Sequence, residues 1–175
     1  RLPADILKDG LFYNYTNTKY INASLLNFNE EVKESLSSYL QQQFELKAYC
    51  PIFSLAGYSQ VLTSISSYEW TEYLISQFAE QIGYRKIQTH HDYRFDKPVL
   101  VKHDMHIENF EQLVFHIVKT EYIGRYHEED LAKYLVSKKI AHNTRRLTNE
   151  IYNSPLFKFD SFGFFEIRGE INGIN

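Results

Sequence analysis

The chain is expected to fold as an α+β protein, mostly helical, built from two packed modules. Three observations predict this. Apolar residues recur at helical spacing behind recognisable caps, and two β-prone stretches flank polar turn sequences. The order of helices followed by a hairpin also occurs twice along the 175 residues. The boundary is expected between a helical module with a C-terminal β-hairpin, residues 1–103, and a second module, residues 104–175.

Residues 11–26 are rich in Tyr, Asn and Thr, lack a helical period, and read as irregular structure or a short hairpin around Asn17-Thr18. Asn29 followed by Glu30 and Glu31 starts a helix over 30–43, with Val32, Leu36, Tyr39, Leu40 and Phe44 on one face. Residues 44–53, with Pro51 among them, are extended or irregular, and 58–65 form a short second helix. Ser66 with Glu69 is a capping box for the stripe Trp70, Tyr73, Leu74, Phe78 and Ile82, which ends at Gly83. Two strands follow, 84–89 and 99–103, joined by a charged tip containing Asp92, Asp96 and Pro98.

In the second half Asn109 with Gln112 caps the helical face Phe110, Leu113, Val114, Ile117 and Val118, which stops near Gly124. A helix over 126–136 carries Glu128, Glu129 and Asp130 at its N-terminal end and Lys138 and Lys139 beyond its C-terminal end, each sign matched to the helix dipole. Asn143 caps a third helix whose Leu147 and Ile151 point inward and which ends before Pro155. Residues 156–159, 160–163 and 164–168 then read as strand, turn, strand.

Three helices and a hairpin within about 60 residues, 109–169, resemble the winged helix-turn-helix superfamily. The likeness extends to the accessory helix-turn-helix modules of bacterial transcription and DNA-modification proteins. It is one of layout, without a diagnostic motif. Residues 29–103 repeat the three-helix-then-hairpin order, which extends the resemblance to tandem winged helices, although no residue-level repeat links the halves. The resemblance implies double-stranded DNA as partner and a role as the recognition part of a larger transcription, DNA-modification or defence protein, while the single cysteine and the lack of a secretory pattern lead to the expectation of a cytoplasmic location.

Charge distribution agrees with a localised anion-binding face. The net charge is −3, yet residues 84–146 hold twelve Lys/Arg against nine Asp/Glu and all seven histidines. In a winged helix the third helix enters the major groove and the wing meets phosphates. That layout assigns DNA contact to Asn143, Thr144, Arg145, Arg146 and Asn149 at the third helix, with Lys138, Lys139 and His142 in the turn before it. The first hairpin adds Arg85, Lys86, Arg94, Lys97 and Lys102. A bland reading stands beside this one, in which the lysines complement a helix end and the arginines are solvated or paired with Glu150. The C-terminal wing, with Phe157, Phe159 and Phe162 but one basic residue, Lys158, is expected to pack on a protein partner or on the first module. A winged helix serving protein interaction alone, without nucleic-acid contact, is the main alternative.

A second alternative is enzymatic. Glu45-Leu46-Lys47, flanked by Phe44 and Ala48, resembles the E-x-K element of the PD-(D/E)xK nuclease superfamily, with Gln60 as a further match. The two-residue period of a strand would put Glu45 and Lys47 on one face, and the resemblance implies a Mg²⁺ ion and an upstream acid, Asp5 or Asp9. Otherwise no cofactor or metal site is expected. His103 and His106 are three apart and His90-His91-Asp92 lies nearby, but the sole cysteine, Cys50, is far upstream. His116 reads as a partly buried core histidine. No phosphate loop, nucleophile elbow or zincin motif occurs. One cysteine and no secretory pattern point to a reducing compartment. The sequons at Asn14 and Asn22 carry little weight, and no apolar run is long enough to span a bilayer.

Overall fold

The computed structural model describes residues 10–169. They form an α+β arrangement of six α-helices and seven short strands in three small sheets. β1 (Phe12–Asn14) and β2 (Tyr20–Asn22) make an N-terminal hairpin, the second of the two readings of residues 11–26, and pair Tyr13 with Ile21. α1 (Glu30–Gln43) starts where the sequence says it should, with the Asn29 side chain accepting from Val32 N. β3 (Tyr49–Pro51) follows, then a single turn, α2 (Tyr58–Val61), in place of the longer second helix.

The Ser66 capping box does not form. The helix there is α3 (Glu72–Gln81), capped by Thr71, whose side chain accepts from Leu74 N. Ser66 lies in the left-handed region at φ 57°, and its hydroxyl accepts from Asn27 N across 39 residues of sequence. Ile65 and Tyr68 bridge around it, and Trp70 Nε1 donates to Thr63 O at 2.8 Å, so the chain turns tightly before the helix begins. Gly83 does end the helix, at φ 103°, a conformation that favours glycine.

β4 (Tyr84–Ile87) and β5 (Val99–Lys102) pair as predicted, but β5 also pairs with β3, so the sheet order is β3-β5-β4, antiparallel throughout. This hairpin is therefore not a projecting wing. Val99, Leu100 and Val101 are all fully buried, because the sheet is covered on both faces. Cys50 and Leu100 join the cluster of α1 and α3, with Leu36, Leu40, Leu74 and Phe78. Tyr49, Ile87, Val99 and Val101 face the opposite cluster, with Leu113, Ile117, Leu131 and Leu135. Two-residue alternation along buried strands thus divides one sheet between two cores. The expected boundary after residue 103 falls just beyond β5, the strand that both cores share.

In the second half α4 (Phe110–Thr120) is capped by Asn109 and α5 (Glu128–Ser137) by His127. The third helix differs from expectation. Asn143 caps no helix: its Oδ1 accepts from Arg145 N at 2.8 Å and Arg146 N at 3.1 Å, closing a local turn that diverts the backbone. The helix is a single turn, α6 (Asn149–Tyr152), halted before Pro155. β6 (Phe157–Phe159) and β7 (Phe165–Ile167) form the C-terminal hairpin, and a bridge from Phe164 to His127 ties it to the start of α5. Gly163, at φ 83°, packs so closely on Glu128 that an added Cβ would lie 2.8 Å from its Oε1. No helix of the described residues is long and apolar enough to cross a membrane.

Candidate nucleic-acid interface

The connection between β4 and β5, residues 88–98, folds around one carboxylate. Asp96 Oδ1 accepts from Thr89 N at 2.8 Å, the Thr89 hydroxyl at 3.2 Å and His90 N at 3.3 Å. Burial pushes the Asp96 carboxyl up, and these bonds pull it back. The Thr89 hydroxyl in turn accepts from Lys97 N. At the outer end, hydrogen bonds from Arg94 hold the Asp92 carboxyl well below the usual range, with Arg94 Nη2 at 2.6 Å from Oδ2. His90 Nδ1 accepts from Asp92 N at 2.9 Å. Fixed this way, the tip presents His90, His91, Arg94, Phe95 and Lys97 outward.

Opposite it, the Asn143 turn positions His142. Its ring stacks on Phe95 at 4.2 Å with 13° between planes and meets His90 edge-on at 5.0 Å. His90 stacks on His91 at 4.5 Å, and His91 Nδ1 lies 4.0 Å from Glu150. Burial, and then the neighbouring His90 and Lys97, hold the His142 imidazole below its ordinary value. Lys97 Nζ lies 5.2 Å over the Phe53 ring, and Lys139 Nζ donates to Phe53 O at 2.9 Å. The Arg94 guanidinium lies 5.4 Å from the Phe95 ring centre.

Arg94, Lys97, Lys139, Arg145 and Arg146 belong to this tip and turn, beside the carboxylates Asp92, Glu128 and Glu150, of which Asp92 is paired with Arg94. Arg145 and Arg146 are exposed and make no ion pair among the described residues. Between the tip and the turn opens a cleft of about 430 Å³, walled by His90, Phe110, Glu128, Arg146, Asn149 and Tyr152. Cations bordering exposed rings suit a polyanion whose bases also stack.

Other sequence-predicted residues are placed elsewhere. Arg85 Nη1 donates to Ile107 O at 2.8 Å and Lys86 pairs with Glu80 at 3.2 Å, so both serve the sheet and α3. Lys102 is half-buried at the end of β5. Lys138 sits 3.8 Å from Glu121 and over the Tyr134 ring. Thr144 is exposed within the turn, and Asn149 opens α6 at the rim of the cleft. Phe53 and Phe95 were not singled out by sequence, and His90 only as a metal candidate. For Phe95 and His90 the one signal was the concentration of histidines in the basic middle of the chain, and Phe53, outside that block, had none.

The E-x-K element is not on a strand. Glu45 and Lys47 are exposed in the turn that ends α1, where Lys47 N donates to Phe44 O, so strand alternation does not bring them to one face. Gln60 is exposed on α2. Asp5 and Asp9 lie outside the described residues. Among the described residues no group of three or more His, Cys, Asp or Glu is placed to hold a metal ion. On the C-terminal hairpin Phe157 is core and Phe159 half-buried against Tyr152, whereas Phe162 is 78% exposed.

Comparison of the chain with protein-family models, with curated proteins and with solved structures finds no match.

Proposed function

We propose that this chain is a DNA-binding module, and that its second half is a winged-helix variant. The observation that carries the reading is the stack of His142 on Phe95. It joins the tip of residues 88–98 to the turn of residues 142–148 and so gathers five cations from both halves onto one aromatic surface. The contacts are mainly to phosphates, since a one-turn helix offers too few side chains to read several base edges. The rings of Phe95 and His90 beside the cleft favour an unstacked or distorted base, so single-stranded and mismatched DNA should compete with duplex.

The experiment is binding of fluorescent duplex, single-stranded and mismatched DNA across a salt series. Affinity that falls steeply with salt is expected. Weak, salt-insensitive binding to every form would refute the reading.

A second reading, a protein-interaction module, is favoured by one observation. Ile123, Phe162 and Phe164, near the α4–α5 loop and the hairpin tip, are apolar and exposed at 99%, 78% and 43%. A partner held there would be retained at high salt and released by Phe162→Ser.

A further inference from the structure

A second concavity, of about 500 Å³, lies between the turn after α1 and the C-terminal ends of α4 and α5. Its apolar side is Leu46, Ala48, Tyr49 and Pro51. Leu46 stands at its rim, 95% exposed. Its polar side carries Lys47, Lys138 and Lys139 against one acid, Glu121.

That acid is already neutralised from within. The Tyr49 hydroxyl donates to Glu121 Oε1, and Lys138 Nζ lies 3.8 Å from Oε2. Tyr49 is held protonated, because burial and the Glu121 carboxylate raise its hydroxyl far above the ordinary value. The hydroxyl protons of Ser54, Thr120 and Ser137 are committed to the carbonyls of Pro51, His116 and Tyr134. The donors left over are ammonium groups. Lys47 makes no ion pair among the described residues.

His116 is a further lining residue. It is only 8% exposed, lines the concavity, and its Nδ1 has no hydrogen-bond partner among the described residues. A buried polar atom without a partner costs free energy, which makes His116 a sensitive reporter of any change in the concavity beside it. Burial keeps this imidazole neutral at ordinary pH, so it adds no charge of its own.

We infer that this concavity is a binding site for a small organic anion, a carboxylate or phosphate on an aromatic or apolar body. The anionic head meets Lys47 and the ammonium of Lys138, which it shares with Glu121, and the body covers Leu46, Ala48 and the Tyr49 ring. The volume suits one such molecule, and the net positive lining selects against neutral analogues. The inference does not depend on DNA binding.

The test uses the whole chain, observed by amide NMR and by the ring nitrogens of His116. Phenyl phosphate, benzoate, benzamide and inorganic phosphate are titrated separately. Saturable shifts at Ala48, Thr120 and Ser137, together with a His116 ring shift, are expected for phenyl phosphate or benzoate. The stronger of the two identifies the head group. Benzamide and inorganic phosphate should each bind about tenfold more weakly, the scale of one charge-assisted contact or one buried ring. Lys47→Ala, at an exposed position that leaves folding intact, should weaken the anion several-fold and leave benzamide unchanged. No saturable shift with either acid, equal binding of benzamide, or equal binding of inorganic phosphate would each overturn the site.

Discussion

Replacing Arg145 and Arg146 together by alanine tests the interface most directly, because the size of the effect follows from counting charges. Five cations border the surface, and each phosphate neutralised lowers log K by about 0.9 per decade of salt. If all five engage, the salt slope of the intact protein is about −4.5, and affinity falls about 500-fold between 50 and 200 mM salt. Removing two cations leaves a slope of about −2.7 and a fall of about 40-fold over the same range. Both side chains are exposed and make no ion pair among the described residues, and the turn is held by the Asn143 side chain and backbone amides, which alanine preserves. Stability should therefore stay within about 0.5 kcal/mol of the parent. The assay is fluorescence anisotropy with duplex DNA at five salt concentrations, with Lys19→Ala on the β1–β2 hairpin as the control. An unchanged slope in the double variant, or an equal change in the control, would refute the assignment.

Two further predictions concern the fold. Leu100→Ala removes a fully buried side chain from the cluster of α1 and α3 and should cost about 2–5 kcal/mol. Because β5 also carries Val99 and Val101 into the other core, thermal unfolding should remain one transition at a lower Tm. Two separated transitions in the variant would show that the halves do not share the sheet energetically. The second prediction is an acid limb. The His116 imidazole is held below its ordinary value by burial, so the unfolded chain binds a proton that the folded chain resists. Its contribution is intact above the unfolded value of about 6.5 and is lost as pH falls toward the folded value, at up to about 1.4 kcal/mol per pH unit. Urea melts at several pH values should show stability falling from pH 7 to 5, and His116→Phe should flatten that limb. An unaltered limb in the variant would assign the effect elsewhere.

The helix caps show how far local chemistry reaches. Asn29 and Asn109 each precede an acidic first turn and an apolar stripe, and each caps the helix that its neighbours predict. Ser66 and Asn143 carry similar signatures, yet neither caps a helix. The Ser66 oxygen is taken by a backbone amide 39 residues away, and the Asn143 oxygen closes a turn over two arginine amides. A cap is a competition for one acceptor, and distant or alternative donors do not appear in a short window of sequence. The same limit explains Glu45 and Lys47, whose strand reading failed because the end of α1 runs into a turn rather than straight into β3.

By itself the sequence determined the α+β class, the placement of α1, α4 and α5, the C-terminal hairpin and the pairing of β4 with β5, and it left residues 11–26 open between irregular structure and a hairpin. Each of these rests on periodicity or turn chemistry within about 20 residues. Tertiary structure alone decided that β3 joins β5, making the first hairpin a shared inner sheet rather than a wing. It also decided where each basic residue lies. Arg85 and Lys86 serve the sheet and α3, while Arg94, paired with Asp92, and Lys97, Lys139, Arg145 and Arg146 lie at the tip and turn where His142 stacks on Phe95. The physical reason is separation along the chain. Those contacts join residues some 40 to 90 positions apart, and their geometry exists only once two cores have packed on one sheet.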